Sequence, residues 1–288
     1  MLVLVVASEI ATEVFAEATL LLAKGDAQCR DRTCDPRVSW DDIYYRKAKE
    51  EGYRARSAFK LLQIDIEYNI FEGVKRVVDL CAAPGSWSQV LRNRILLPNR
   101  DDPEIKIVSV DIQDMAPLEG VITIKGDITK LSTAEEITHH FAGKHADLVV
   151  SDGAPDVTGL HDVDLYNQSQ LILAGLNVTT HILRPGGTFV AKIFKGRDMS
   201  LLYSQLKIFF ESVIMVKPKS SRNSSLVTLE SFVVCQNYIP PNEYTPTMIH
   251  PMSMQHYTEE TLMTGSNSII VPFMACGDLN GYANSRLK

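Results

Sequence analysis

Over most of its length the chain alternates between short runs rich in β-branched residues and longer segments of helical periodicity. This alternation narrows the choice of fold more than any other feature. Residues 75–81, 106–112, 121–124, 147–151, 188–194, 213–216 and 231–238 read as strands, and residues 86–95, 134–141, 163–183 and 199–210 as helices between them. Strands joined through helices are crossover-connected, so the sheet should be mainly parallel, seven-stranded and covered by helices on both faces, an α/β Rossmann-like architecture. At 288 residues and 45% hydrophobic, the chain can bury one such core with appended segments, but not a second full domain. The expected division is an N-terminal extension over 1–40, the α/β domain over 41–240, and a C-terminal extension over 241–288 that packs on or near the domain.

In an open parallel sheet, ligands sit beyond the carboxyl ends of the strands. Asp111, Asp127, Asp152 and Lys192 all fall at or near such ends. A single Asp after a strand is most often a turn former or helix cap. Three successive strand ends that close on Asp point to a ligand. Asp111, in VSVDI, is placed to accept hydrogen bonds from ribose hydroxyls, and Asp127, in KGDI, to meet an adenine amino group.

The turn after the first strand selects among nucleoside cofactors. A dinucleotide needs GxGxxG so that backbone amides can cradle a pyrophosphate. Here the turn reads DLCAAPGSW, with Gly85 its one glycine, followed by Ser86 and Trp87. Such a turn suits close approach by a compact nucleoside bearing an amino acid and makes a poor diphosphate cradle. S-adenosylmethionine fits this pattern and nicotinamide dinucleotides do not.

The charge balance, 29 Lys and Arg against 35 Asp and Glu, gives a net charge of −6, so any nucleic-acid surface must be a local patch. One candidate is the basic, aromatic-interleaved run of Tyr44, Tyr45, Arg46, Lys47, Lys49, Tyr53, Arg54, Arg56 and Lys60; a second is KPKSSR at 217–222. Such runs suit phosphate contact with base stacking, although the first could equally be a solvated helix face. Five scattered cysteines without CxxC spacing argue against a disulfide framework or zinc site and for a reducing, cytoplasmic setting. The apolar run at 2–7 lacks a basic start and is soon interrupted by Glu9, Glu13 and Glu17, so it reads as neither a membrane span nor a targeting signal. Residues up to 22 could form one short helix, followed by a polar connector.

Several long motifs bear a resemblance. DLCAAPGSWSQV at 79–90, SDGAPDVTGLHDVDLY at 151–166, FVAKIFKGRDMSLLYSQL at 189–206 and KPKSSRNSS at 217–225 resemble the FtsJ family of RNA ribose 2′-O-methyltransferases, class I methyltransferases. The middle motif and IIVPFMACGDL at 269–279 are more similar to its eukaryotic tRNA branch than to its bacterial rRNA branch. The resemblance implies a catalytic set at Lys60, Asp152, Lys192 and Glu230. It also implies S-adenosylmethionine as cofactor, held by Gly85, Trp87, Asp111, Asp127 and Asp152, with no metal. A ribose hydroxyl is a weak nucleophile, so a base must remove its proton as the methyl is attacked in line, and Lys192 is the expected base. A lysine acts as base only when neutral; positive charge from Lys60 and partial burial favour that form, and Asp152 opposes it. Asp152 and Glu230 would chiefly orient the lysines and the hydroxyl.

The branch implies tRNA as substrate, at the wobble position and the position just before the anticodon. It also implies two protein partners, a helical-repeat protein and a WD40-repeat protein. The alternatives are an rRNA methyltransferase of the same family and an RNA-binding scaffold that has lost catalysis. The chain departs from the family pattern in two places. About forty unrelated residues precede the DIYYRKAKEEG stretch, as a misplaced start or an alternative exon would leave, and they are expected to be poorly packed and dispensable. LVTL at 226–229 is inserted just before Glu230, where it could lengthen a loop cheaply or slip the strand register and turn Glu230 away.

Overall fold

The computed structural model describes residues 40–155, 161–195, 199–221 and 229–246. The expected helix near the N-terminus, residues 226–228 of the insertion and the motif at 269–279 lie outside the described residues.

Helices α1 (Trp40–Glu50) and α2 (Ala58–Tyr68) lead into strand β1 (Arg76–Leu80). Then come α3 (Ser86–Leu91), β2 (Lys106–Asp111), β3 (Val121–Lys125), α4 (Leu131–His140) and β4 (Ala146–Ser151). The chain continues through α5 (His161–Ile182), β5 (Leu183–Lys195), α6 (Met199–Phe209), β6 (Phe210–Val216) and β7 (Leu229–Tyr238). The seven strands form one sheet in the order β3-β2-β1-β4-β5-β7-β6. β1 to β5 pair in parallel, and β7 inserts antiparallel between β5 and β6. The expected Rossmann-like, mainly parallel seven-stranded sheet is what the chain forms.

The central strands are buried on both faces, so β4 (ADLVVS) is buried along its whole length and reads as a continuous apolar run. The edge strand β3 is mostly half-exposed and ends on an exposed lysine, as suits a strand with one unpaired side. Alternation along β5 and β7 divides the core into two layers. Phe189, Ala191, Ile193, Val233 and Cys235 pack with α5 and α6, whereas Val190, Phe232 and Val234 pack with Trp87 and the apolar face of α2.

Two boundaries differ from expectation. Helix α5 runs directly into β5, which begins at Leu183 rather than Thr188; a register irregularity between the Ala146–Leu183 and Leu148–Thr188 pairs absorbs Arg-Pro-Gly-Gly. Helix α3 is short and continues as a wider π turn over Arg92–Leu96. The insertion before Glu230 does not slip the register, for Glu230 pairs with Phe194 and Phe232 with Lys192 in an unbroken antiparallel ladder. Among the described residues no helix is long and apolar enough to cross a membrane.

Candidate active site

Because β7 runs opposite to β5, its first residues lie at the same sheet edge as the ends of β1, β2, β4 and β5. Opposed residues of an antiparallel pair share a face, and so do residues two apart. Lys192, Phe194, Glu230 and Phe232 therefore project together, on the side covered by α2. Four charged groups from four elements meet there. Lys60 of α2 places Nζ 2.6 Å from Glu230 Oε1 and 3.8 Å from Asp152 Oδ1. Lys192 places Nζ 3.5 Å from Asp152 Oδ1 and 3.9 Å from Glu230 Oε2. Lys60 is only 6% exposed, and its ammonium also lies 5.6 Å from the centre of the Phe232 ring. That ring packs against Trp87.

A buried ion cluster is a weak source of stability, because desolvating the charges offsets most of their attraction. Two lysines and two carboxylates gathered at the ligand-binding edge of the sheet are better explained by chemistry. Burial pushes the Glu230 carboxyl up, but the charges of Lys60 and Lys192 and hydrogen bonds from Lys60 and Ser221 outweigh it, leaving the group below the usual carboxylate range. The segment bearing Asp152 and Lys192 is braced from below. The buried Gln168 amide donates to the Lys192 carbonyl at 2.8 Å and to the Gly153 carbonyl at 3.2 Å. Gly153 allows the close approach, since a Cβ there would lie 2.9 Å from Cys81 Sγ.

The cofactor turn lies beside this cluster. Gly85 has φ +98°, and a Cβ on it would fall 2.6 Å from Arg54 Nη1 and 2.8 Å from Met115 Sδ, so only glycine fits. Arg54 donates to the carbonyls of Pro84, Ala116 and Pro117, strapping the Gly85 turn to the segment that follows β2. Asp111 Oδ2 accepts the Ala83 amide at 2.8 Å and Oδ1 the Gln113 amide at 2.7 Å. Asp127 Oδ1 accepts both the amide and the hydroxyl of Thr129. Both aspartates thus shape turns, and the Asp111 carboxylate retains acceptor capacity for a ligand. The Trp87 indole is committed elsewhere. It donates to the Ser57 carbonyl and is 2% exposed, so only its backbone, in the first turn of α3, is available to a ligand.

Asp79 is the residue that reading the sequence for site residues passed over. It is 1% exposed, its Oδ2 accepts from Ser88, and its Oδ1 is buried with no hydrogen-bond partner. Burial, reinforced by the charges of Asp152 and Asp111 against the Ser88 hydrogen bond, pushes its carboxyl up to about 7. The DLCAAPG motif contained it, but an Asp inside an apolar strand run gave no separate signal. An orphaned carboxyl oxygen beside a turn that admits only glycine suits an amino-acid-bearing nucleoside, so S-adenosylmethionine fits this edge. Part of the basic run is also spoken for internally: Lys47 pairs with Glu51, Arg54 forms the strap, Arg56 donates to the Ser220 carbonyl, and Lys60 lies in the ion cluster.

Residues 53–238 match the FtsJ-like methyltransferase family. The chain belongs to that family. It is 60% identical over 246 residues to the mouse tRNA (cytidine(32)/guanosine(34)-2′-O)-methyltransferase, covering 85% of this chain and 74% of that protein. It is 39% identical over 226 residues to an AdoMet-dependent rRNA methyltransferase of Aspergillus fumigatus, covering 78% of this chain and 27% of that one. Among solved structures it is similar to a ribosomal RNA methyltransferase from Plasmodium falciparum, with a TM-score of 0.58 and 28% identity over 66% of this chain and all of that one.

Proposed function

We propose that this FtsJ-like methyltransferase uses S-adenosylmethionine to methylate ribose 2′-hydroxyls of tRNA at positions 32 and 34. The observation that carries the chemistry is the convergence of Lys60, Asp152, Lys192 and Glu230 at one sheet edge. The substrate follows from the relatives: identity to the mouse tRNA enzyme is 60%, against 39% to the rRNA enzyme. When bound, the cofactor supplies an electrophilic methyl group. Gly85, Asp111, Asp127, Asp152 and the backbone of Trp87 would hold it.

Lys192 Nζ forms no hydrogen bond among the described residues, whereas Lys60 is bonded to Glu230, so Lys192 is the amine placed to accept a hydrogen bond from the ribose hydroxyl. Lys192 Nζ would take up the proton that the ribose hydroxyl gives up on methylation. Asp152 and Glu230 hold the two lysines apart and oriented, and most of the rate comes from placing the hydroxyl in line. Recognition of the anticodon loop rests on a helical-repeat partner for position 32 and a WD40-repeat partner for position 34, in the cytoplasm. The experiment is to incubate tRNA with the protein and labelled cofactor, with and without such partners, and map the modified nucleosides. Label at ribose 32 or 34 supports the proposal; label confined to rRNA, or none under any condition, overturns it.

A further inference from the structure

The serines of the segment before β7 do something its basic composition did not suggest. Ser220 and Ser221 are buried, at 1% and 4% exposure, although the chain around them reads as a solvated basic stretch. Ser221 Oγ donates to Glu230 Oε1 at 3.1 Å, the same oxygen that Lys60 Nζ meets at 2.6 Å. Ser220 is clamped from the other side. Its amide and its hydroxyl each donate to Gln63 Oε1 at 3.0 Å, and its carbonyl accepts from Arg56 Nη2 at 3.1 Å. Lys60 and Gln63 are three apart on one face of α2, and Arg56 lies in the turn just before that helix. The face that delivers the Lys60 ammonium thus also grips the segment whose next hydroxyl bonds the partner of that ammonium.

We propose that Ser221, held in place by Gln63 and Arg56, is a positioning residue that fixes the Glu230 carboxylate, with Oε1 on Lys60 and Oε2 turned towards Lys192. This gives a way for the three extra residues before Glu230 to leave its placement intact. The chain is pinned at Ser220 and Ser221 before the insertion and by β-pairing at Leu229 and Glu230 after it, so added length falls between two fixed points. A free carboxylate on a two-carbon stem has several rotamers, and one hydroxyl bond removes that freedom at the end nearest the chemistry.

The proposal rests on the methyltransferase reading, and its test separates the two. Ser221→Ala, Ser221→Thr and Gln63→Leu are compared with the wild type for kcat, KM for tRNA, cofactor affinity, thermal midpoint and the titration of Glu230. That titration is followed through the carboxyl 13C resonance, assigned by its loss in Glu230→Gln. The groups facing Glu230 are Lys60 from α2, Lys192 from β5 and the Ser221 hydroxyl, with Asp152 sharing both lysines. Removing the hydroxyl takes away one of the bonds that hold the carboxyl low, so the Glu230 midpoint and the acidic limb of the kcat profile move to higher pH.

Ser221→Ala should lower kcat by about tenfold, the size of one hydrogen bond to a charged group, with KM and cofactor affinity unchanged. Gln63→Leu should act in the same direction, and Ser221→Thr should restore both rate and midpoint. An unchanged kcat and midpoint in Ser221→Ala would overturn the proposal, as would a rise in KM alone, which would make Ser221 an RNA contact. A threonine variant as impaired as the alanine one would also overturn it. If the wild type transfers no methyl group to tRNA the functional reading fails, while the carboxyl titration still decides the latch.

Discussion

Lys60 Nζ lies 2.6 Å from Glu230 Oε1, whereas Lys192 Nζ stands 3.5 Å from its nearest carboxylate oxygen, on Asp152. The two lysines of the cluster are therefore not equivalent. Lys60 is tied by a charge-assisted hydrogen bond and fixes the local field. Lys192 is held at longer range by Asp152 and Glu230, and its ammonium lies 5.9 Å from the centre of the Phe194 ring.

On the proposed function, that inequality makes Lys192 the residue whose loss should remove the reaction. Lys192→Ala should lower kcat by about 10²–10⁴-fold, the range spanned by general bases. Affinity for S-adenosylhomocysteine should stay near the wild-type value, because the lysine serves the hydroxyl. Lys192→Arg should fail as well, since arginine stays protonated. Single-turnover transfer with saturating tRNA reads this directly, and substantial turnover in either variant would take the base role away from Lys192.

The aspartates after β2 and β3 should govern cofactor affinity. Asp111→Ala with Asp127→Ala should weaken S-adenosylhomocysteine binding by about a hundredfold or more, each lost charged hydrogen bond being worth roughly 1.5–3 kcal/mol. Asp111 also holds the Ala83 amide, so part of its effect comes from a loosened turn. Asp111→Asn, which keeps an acceptor for that amide, should fall between the wild type and the alanine variant. Calorimetric titration of the series checks the assignment, and unchanged affinity in the double variant would refute it.

The sheet was legible because β4 and β5 are apolar runs separated by a long helix, and the acidic strand ends were legible because each closes such a run. The bonds between distant segments were not. Nothing in GYRAR signals that Arg54 reaches three carbonyls, two of them more than sixty residues away. Trp87 shows the same limit. The motif placed it at the cofactor turn, but its indole turns back to Ser57 and Phe232, a choice made by packing between layers. Register at Glu230 was undecidable from the sequence, because Gln63 on α2 and Arg56 in the turn before it, which grip the segment ahead of β7, lie more than 150 residues earlier.

Asp79 gives a pH prediction whose sign is opposite to the usual one for a carboxylate. Its folded pKa is pushed up to about 7, well above the ordinary value of roughly 3.9 for an unfolded Asp. As pH rises through the interval between those values, the unfolded chain releases this proton before the folded protein does. The contribution of Asp79 is therefore fully present below the unfolded value and is lost as pH passes the folded one, with a slope of at most about 1.4 kcal/mol per pH unit. Glu230 and Asp147, held below the ordinary range, contribute with the opposite sign at lower pH. The difference between wild type and Asp79→Asn isolates the Asp79 part. Urea unfolding from pH 5 to pH 8 should show the wild type losing stability relative to the variant as pH rises, and parallel curves would show that Asp79 titrates normally.

Arg54 offers the sharpest choice between two roles for one cation. As part of the basic run it could contact phosphate; as the structure has it, its guanidinium joins Pro84 to Ala116 and Pro117 above Gly85. A phosphate contact carries a fixed signature: its loss weakens tRNA binding and lowers the salt slope by about one charge. A strap leaves that slope alone and acts on the cofactor turn. Arg54→Met should therefore weaken S-adenosylhomocysteine binding by about tenfold, as expected when bonds that shape a site are removed, with tRNA affinity and its salt dependence nearly unchanged. Arg54→Lys should not rescue it, because a single ammonium cannot span three carbonyls in the plane a guanidinium occupies. Cofactor titration and salt-dependent tRNA binding on the same preparations separate the two roles. A reduced salt slope with normal cofactor affinity would return Arg54 to the RNA surface.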